Sequence, residues 1–240
     1  EAVERFLTTK LDEFKNARHR QTWGNSLRDY ASPTIGDMPV ADIGVPEVLR
    51  TLEPRWRKTP ETASRVRGRI EQVLNWATVA GYRKGENPAR WKGNLDALLP
   101  NASKVKKGGH QPALALSDAP HWFAALRERD GMAAKALELI ALTAVRSGEA
   151  RGATWDEMDL NAGLWKVSAD RMKTGREHRV PLTDSTVLLL RELPRIAGSK
   201  FVFPNRDGNM LSDMTVSAVM RRMQADEEKA GRKGWRDPQS

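Results

Sequence analysis

The sequence has no cysteine, and only two tyrosines and four histidines among its 240 residues. Without thiols there can be no disulfide, thiolate metal site or cysteine nucleophile, which suits a reducing compartment. His19, His110, His121 and His178 are scattered without metal-ligand spacing, so neither a metal nor a cofactor is expected. No apolar run approaches the length that crosses a bilayer, and the charged, broken start of the chain lacks the pattern of a signal peptide. These absences argue against a disulfide scaffold, a thiol enzyme and a membrane span, and make a cytoplasmic protein the expectation.

What the chain does have is positive charge. Forty Lys and Arg against 31 Asp and Glu give a net +9. The excess is uneven: residues 1–108 hold 20 basic against 13 acidic side chains, and the remainder 20 against 18. The first half is therefore the electrostatic handle for an acidic partner, of which nucleic acid is the commonest. A generic solubilising charge is the competing reading. The length suits two domains, each able to bury a core.

In the first half, residues 2–18 read as one helix with Val3, Phe6, Leu7, Leu11 and Phe14 on a face, and a second helix spans Trp23 to Tyr30, ending before Ser32-Pro33. Pro46 opens a helix that carries Val48, Leu49 and Leu52 to about Trp56. Another runs from Pro60 to about Ala80, capped by Thr59 and stopped by Gly81, with Ala63, Val66, Ile70, Val73, Ala77 and Ala80 at core spacing. On that helix Arg65, Arg67 and Arg69 either track a phosphate backbone or form a solvated face. Trp91, Leu95, Leu98 and Leu99 pack a last short helix. Residues 100–112, PNASKVKKGGHQP, read as a linker in which Lys104, Lys106 and Lys107 either cross a groove beside phosphates or are simply flexible.

The second half opens with a helix capped by Ser117, with Asp118 near its positive end and Trp122, Phe123 and Leu126 in the core. The next helix, Ala133 to Ala144, delivers Arg146 into a break before Glu149, Ala150 and Ala153 resume the pattern. Arg146 then either caps the preceding helix or pairs with Glu149, or stands at a cleft floor as an anion ligand. Leu164 to Ser168 and His178 to Leu182 alternate as strands around a charged turn, Asp170 to Glu177. Helical spacing returns through Val187 to Leu193 and from Ser212 to Met223, with Phe201 to Pro204 extended between them.

Three words in this order, T-A-V-R-S-G-E-A, W-D-E-M-D-L and R-M-K-T-G-R-E-H-R-V-P-L, resemble the tyrosine recombinases, specifically phage-type integrases. In that family the first catalytic arginine lies in T-x-x-R-x-x-E, which Arg146 and Glu149 match, and a lysine on a hairpin turn follows, which Lys173 matches. Arg146 would then hold the nonbridging phosphate oxygens, Glu149 would support it, and Lys173 would protonate the departing sugar oxygen. Arg171, Arg176 and Arg179 flank the same hairpin; phosphate contact and solvated charge are both open for them, with Arg176 kept as a DNA-contact candidate. His178 is left out of the catalytic set.

The resemblance implies a mainly α fold with a small β component. Residues 1–99 would be a helical core-binding domain that clamps DNA, 100–112 the linker, and 113–240 part of an α+β catalytic domain. It also implies double-stranded DNA at an attachment site as partner and a homotetramer of the full-length protein. Family members attack with a tyrosine near the C-terminus, forming a 3′-phosphotyrosyl link, and use an H-x-x-R box. Here the tyrosines are Tyr30 and Tyr82, and no H-x-x-R occurs. The expectation is therefore an internal fragment of a longer recombinase, lacking the upstream arm-site domain, monomeric, and binding DNA without cutting it. The alternative is a naturally short, non-catalytic protein that competes at attachment sites. A transcription factor using an arginine-rich helix is a weaker third reading, because it gives Arg146 and Lys173 no purpose.

Overall fold

A computed structural model describes residues 1–10, 17–105, 113–172 and 174–235. The chain divides into two compact units, Glu1–Gly109 and His110–Ser240, each with its own apolar core. Among the described residues the architecture is mainly helical with one three-stranded antiparallel sheet.

The first unit holds α1 (Ala2–Lys10), α2 (Ala17–Tyr30), α3 (Ser32–Ile35), α4 (Val45–Trp56), α5 (Pro60–Val79) and α6 (Ala102–Val105). α5 is its axis and packs against α1, α2, α4 and α6. The expected stripe is buried at Ala63, Val66, Ile70, Val73 and Ala77, joined by Leu74, whereas Ala80 lies beyond the helix and is exposed. Thr59 occupies the N-cap position without a capping bond from its side chain. Gly81 turns the chain away at φ +78°, a left-handed conformation that suits glycine.

Four expectations need correction here. The second helix starts early: α1 covers Ala2–Lys10 among the described residues, and Ala17 already belongs to α2, six residues ahead of the expected start. Leu11 and Phe14 lie outside the described residues. Pro33 does not merely stop α2; it sits in the first turn of α3, where its fixed φ and missing N–H cost nothing. Leu98, expected in the core, is exposed, and the short helix is a single 3-10 turn at Leu95–Ala97. Finally, the start of the expected linker is structured: Trp56 Nε1 donates to the Pro100 carbonyl at 2.8 Å, and Ala102 and Val105 of α6 pack against the first core. Residues 106–112 lie outside the described residues.

The second unit holds α7 (Ala119–Arg127), α8 (Met132–Thr143), α9 (Ser147–Arg151), α10 (Asp184–Arg191) and α11 (Thr215–Lys229), with β1 (Met158–Asp159), β2 (Leu164–Val167) and β3 (His178–Pro181). α8 packs against α7, α9, α10 and α11. Ser117 is not the cap of α7; a 3-10 turn, Leu116–Asp118, precedes it and Asp118 holds the cap position. The sheet order is β1-β2-β3, with Trp165 opposite Val180 and Val167 opposite His178. Trp165, Val167 and Val180 are buried while Lys166 and Arg179 point outward, as the two-residue period requires. This buried face ties the hairpin to the core through Trp165 and Phe203, both without solvent exposure.

Candidate functional site

The site begins where α8 ends. Ala144 adopts the left-handed conformation (φ 54°, ψ 21°) and its N–H returns to the Ile140 carbonyl, so the helix stops abruptly. Val145 is buried, and Arg146 follows in extended backbone at the N-cap of α9. The buried residue anchors the segment, and the next side chain emerges into solvent.

Glu149, one turn into α9, fixes this arginine at both ends. Its Oε2 accepts the backbone N–H of Arg146 at 3.1 Å and its Oε1 accepts the guanidinium NH1 at 2.8 Å. Glu149 is buried, with a side chain 7% exposed, whereas the side chain of Arg146 is 65% exposed. The pairing reading is therefore realised, and it leaves the arginine presented: Nε and NH2 have no hydrogen-bond partner among the described residues. Two free N–H donors on a planar cation, held from behind, suit an anionic ligand with two oxygens.

Around Arg146 lies an open cleft of about 470 Å³ lined by Ala144, Val145, Arg146, Glu149, Met172, Thr174, Arg176, Glu177 and His178. Arg176 and His178 are exposed, and Arg176 has no carboxylate partner among the described residues. Glu177 takes a hydrogen bond from Arg179 Nε at 2.8 Å, which holds its carboxyl below the usual range and keeps it ionised. Both acids in the wall are thus bound to guanidinium groups, while Arg176 is left for a ligand. Lys173, the expected proton donor, lies outside the described residues, as do Lys106 and Lys107.

The other expected DNA contacts are sorted by their surroundings. Arg65 is 72% exposed and makes a loose pair with Glu61 at 3.3 Å. Arg67 instead donates to Glu71 at 2.6 Å and to the Ala89 carbonyl at 2.8 Å. Arg69 donates to the Thr22 carbonyl at 3.0 Å and to Ser26, lies over the Trp23 ring, and has its pKa lowered by burial. Arg67 and Arg69 therefore spend their donors inside the first unit. Lys104 stands on α6.

Two residues near the cleft, Gly152 and Glu157, were not singled out from the sequence, nor was the structural part played by Arg171. Arg171 donates to both carboxylate oxygens of Glu157 and, through NH2, to the Glu149 carbonyl at 2.7 Å. Glu157 also accepts from Trp165 Nε1 at 3.1 Å and from the Thr154 N–H at 3.3 Å. The only sequence signal for Glu157 and Arg171 was their place inside the W-D-E-M-D-L and R-M-K words, and Gly152 lies outside those words.

A phage integrase family model matches residues 114–236, and a phage integrase central-domain model matches residues 1–94. The chain belongs to the phage integrase family of tyrosine recombinases. Prophage integrase IntZ of Escherichia coli K12 is 28% identical over 98% of this chain and 56% of its own length. The integrase of Enterobacteria phage P4 is 30% identical over 85% of this chain and 49% of its own. The chain thus spans about half the length of the curated relatives it matches. A crystal structure of lambda integrase residues 75–356, a dimer bound to a COC′ core site, aligns with 98% of this chain and 82% of that one at a TM-score of 0.74. Its 17% identity makes this a likeness of fold. Among the described residues no helix is long and apolar enough to cross a membrane, and no group of three His, Asp or Glu could hold a metal.

Proposed function

We propose that these residues bind duplex DNA at a recombination site, within a site-specific recombinase that breaks and rejoins DNA. The carrying observation is Arg146: an exposed guanidinium, bound from behind by a buried carboxylate, beside a cleft whose other free cation among the described residues is Arg176. In this reading Arg146 donates two N–H bonds to the nonbridging oxygens of the scissile phosphate, where charge gathers as nucleophile and leaving oxygen pass in line. Glu149 prevents the guanidinium from swinging away. Lys173 delivers the proton to the leaving sugar oxygen. Residues 1–99 form the clamp on one side of the duplex, with Arg65 and Lys104 touching phosphates, and 113–240 carry the reacting phosphate.

No tyrosine follows Tyr82 and no H-x-x-R occurs in these 240 residues. DNA recognition and phosphate binding are accordingly proposed for them, and strand cleavage, tetramer assembly on two duplexes and action in the cytoplasm for the whole integrase. The test is binding of a labelled attachment-site duplex over a salt series. Affinity should fall steeply with salt, the mark of phosphate contacts replacing counterions. Salt-independent binding, or none, would remove the reading.

A further inference from the structure

The cleft residues explain how Arg146 is presented but not what holds Glu149 in place to present it. α9 has five residues, too few to keep its own position by helical hydrogen bonds. Its register must come from outside. The Glu149 carboxylate faces Arg146, while its backbone carbonyl faces the other way and takes a 2.7 Å hydrogen bond from Arg171 NH2.

Arg171 ends a 3-10 turn, Ala169–Arg171, in the connection between β2 and β3. Its other terminal nitrogen is clamped on Glu157, whose carboxylate is in turn fixed by the indole of fully buried Trp165 on β2. The arginine therefore runs as a strut from the sheet to the backbone of Glu149. Space for it is built in at Gly152: a Cβ there would lie 2.8 Å from Arg171 NH2, although the glycine's φ of −94° is open to any residue. The absence of a side chain at 152 thus serves the passage of Arg171, not a turn.

The geometry points to Arg171 as a positioning residue, a strut from the hairpin that sets the place of Glu149 and so the aim of the Arg146 guanidinium at a bound phosphate. This rests on the proposed role of Arg146. Lysine cannot replace the strut, because one ammonium cannot reach both the Glu157 carboxylate and the Glu149 carbonyl with the planar fork of a guanidinium.

The experiment is a double-mutant cycle in the full-length integrase, read as single-turnover cleavage at saturating DNA, with duplex affinity and thermal unfolding measured alongside. Arg171→Lys should slow cleavage about 10- to 100-fold, the scale of a small misplacement at the reacting atoms, with affinity held within about threefold. In an Arg146→Lys background the same change should cost less than about threefold, because residues that act as one unit do not add. If Arg171→Lys leaves the rate unchanged, or costs as much in both backgrounds, Arg171 is only architectural and the inference falls. If Arg146→Lys alone has no effect on cleavage, the underlying reading of Arg146 falls instead. Should Arg171→Lys lose its cooperative unfolding transition, Glu157→Gln repeats the cycle without removing the arginine; loss of folding in both overturns the positioning role.

Discussion

The carboxylate of Glu149 binds Arg146 twice, once at its backbone N–H and once at its guanidinium. One buried side chain thereby satisfies an otherwise unpaired helix-start donor and restrains an exposed cation. The two jobs can be separated by mutation. Glu149→Ala should lower the stability of the second unit by about 1–3 kcal/mol, because the orphaned N–H and the emptied buried site both count against folding. Arg146→Ala should cost less than Glu149→Ala, since the backbone N–H bond to Glu149 remains while the buried carboxylate loses its cationic partner.

On the functional side, Arg146→Ala in the full-length protein should reduce strand cleavage by at least about 100-fold, the usual cost of losing one fixed donor to a developing anion. Attachment-site affinity should stay within about threefold, because one phosphate contact among many is lost. Gel-shift and cleavage assays on the same preparations decide it. Equal loss of both would make Arg146 a general DNA ligand.

The arginines of α5 should behave in opposite ways. Arg69→Ala removes the bonds to Thr22 and Ser26 and the contact over Trp23, and should cost the first unit about 1–3 kcal/mol by calorimetry. Arg65→Ala should leave stability within about 0.5 kcal/mol, as expected for an exposed pair, and should reduce the salt slope of DNA binding by about one. An unchanged slope would withdraw Arg65 from the DNA contacts.

Acid should loosen the C-terminal helix by a defined pair. Glu227 accepts two bonds from Arg232, at 2.6 Å each, and these hold its carboxyl below the ordinary value of 4.5. A carboxyl with a depressed folded pKa contributes stability above its unfolded pKa. That contribution is lost as pH falls from about 4.5 through the lower folded value. Glu227→Gln should therefore flatten the acid limb of the stability curve below that pH while lowering the plateau above it. Circular dichroism melts from pH 7 downward measure both.

Much of this fold could be read locally. Pro46 and Pro60 each open a helix, the three-and-four spacing of α5 marks its buried stripe, and the alternation of Leu164 to Val167 and His178 to Pro181 marks the hairpin. α2 begins before its apolar residues indicate because its first turns, ARHRQT, carry almost no apolar residue; their helicity comes from packing of Trp23 and Leu27 further along. α6 was hidden in a basic, polar stretch because the Trp56 bond to Pro100 that gathers it in spans 44 positions.

The candidate site divides in the same way. Arg146 and Glu149 are three residues apart, so their pairing follows from helical spacing. Arg171 meets Glu149 across 22 positions and Glu157 across 14, and only the folded sheet brings them together. Distance in sequence also explains why Arg67 and Arg69 turn inward to Ala89 and Thr22, 22 and 47 positions away, while Arg65 on the same helix does not.

Gly152 has a consequence for how this region can diverge or be transplanted. A Cβ at 152 would need the space that the Arg171 guanidinium fills, so the two exclude one another in the present arrangement. Among related sequences a bulkier residue at 152 should accompany a shorter one at 171, while Glu157 keeps its bonds to Trp165 and Thr154. A hairpin grafted from one integrase to another should work only if residues 149, 152, 157 and 171 move as a set.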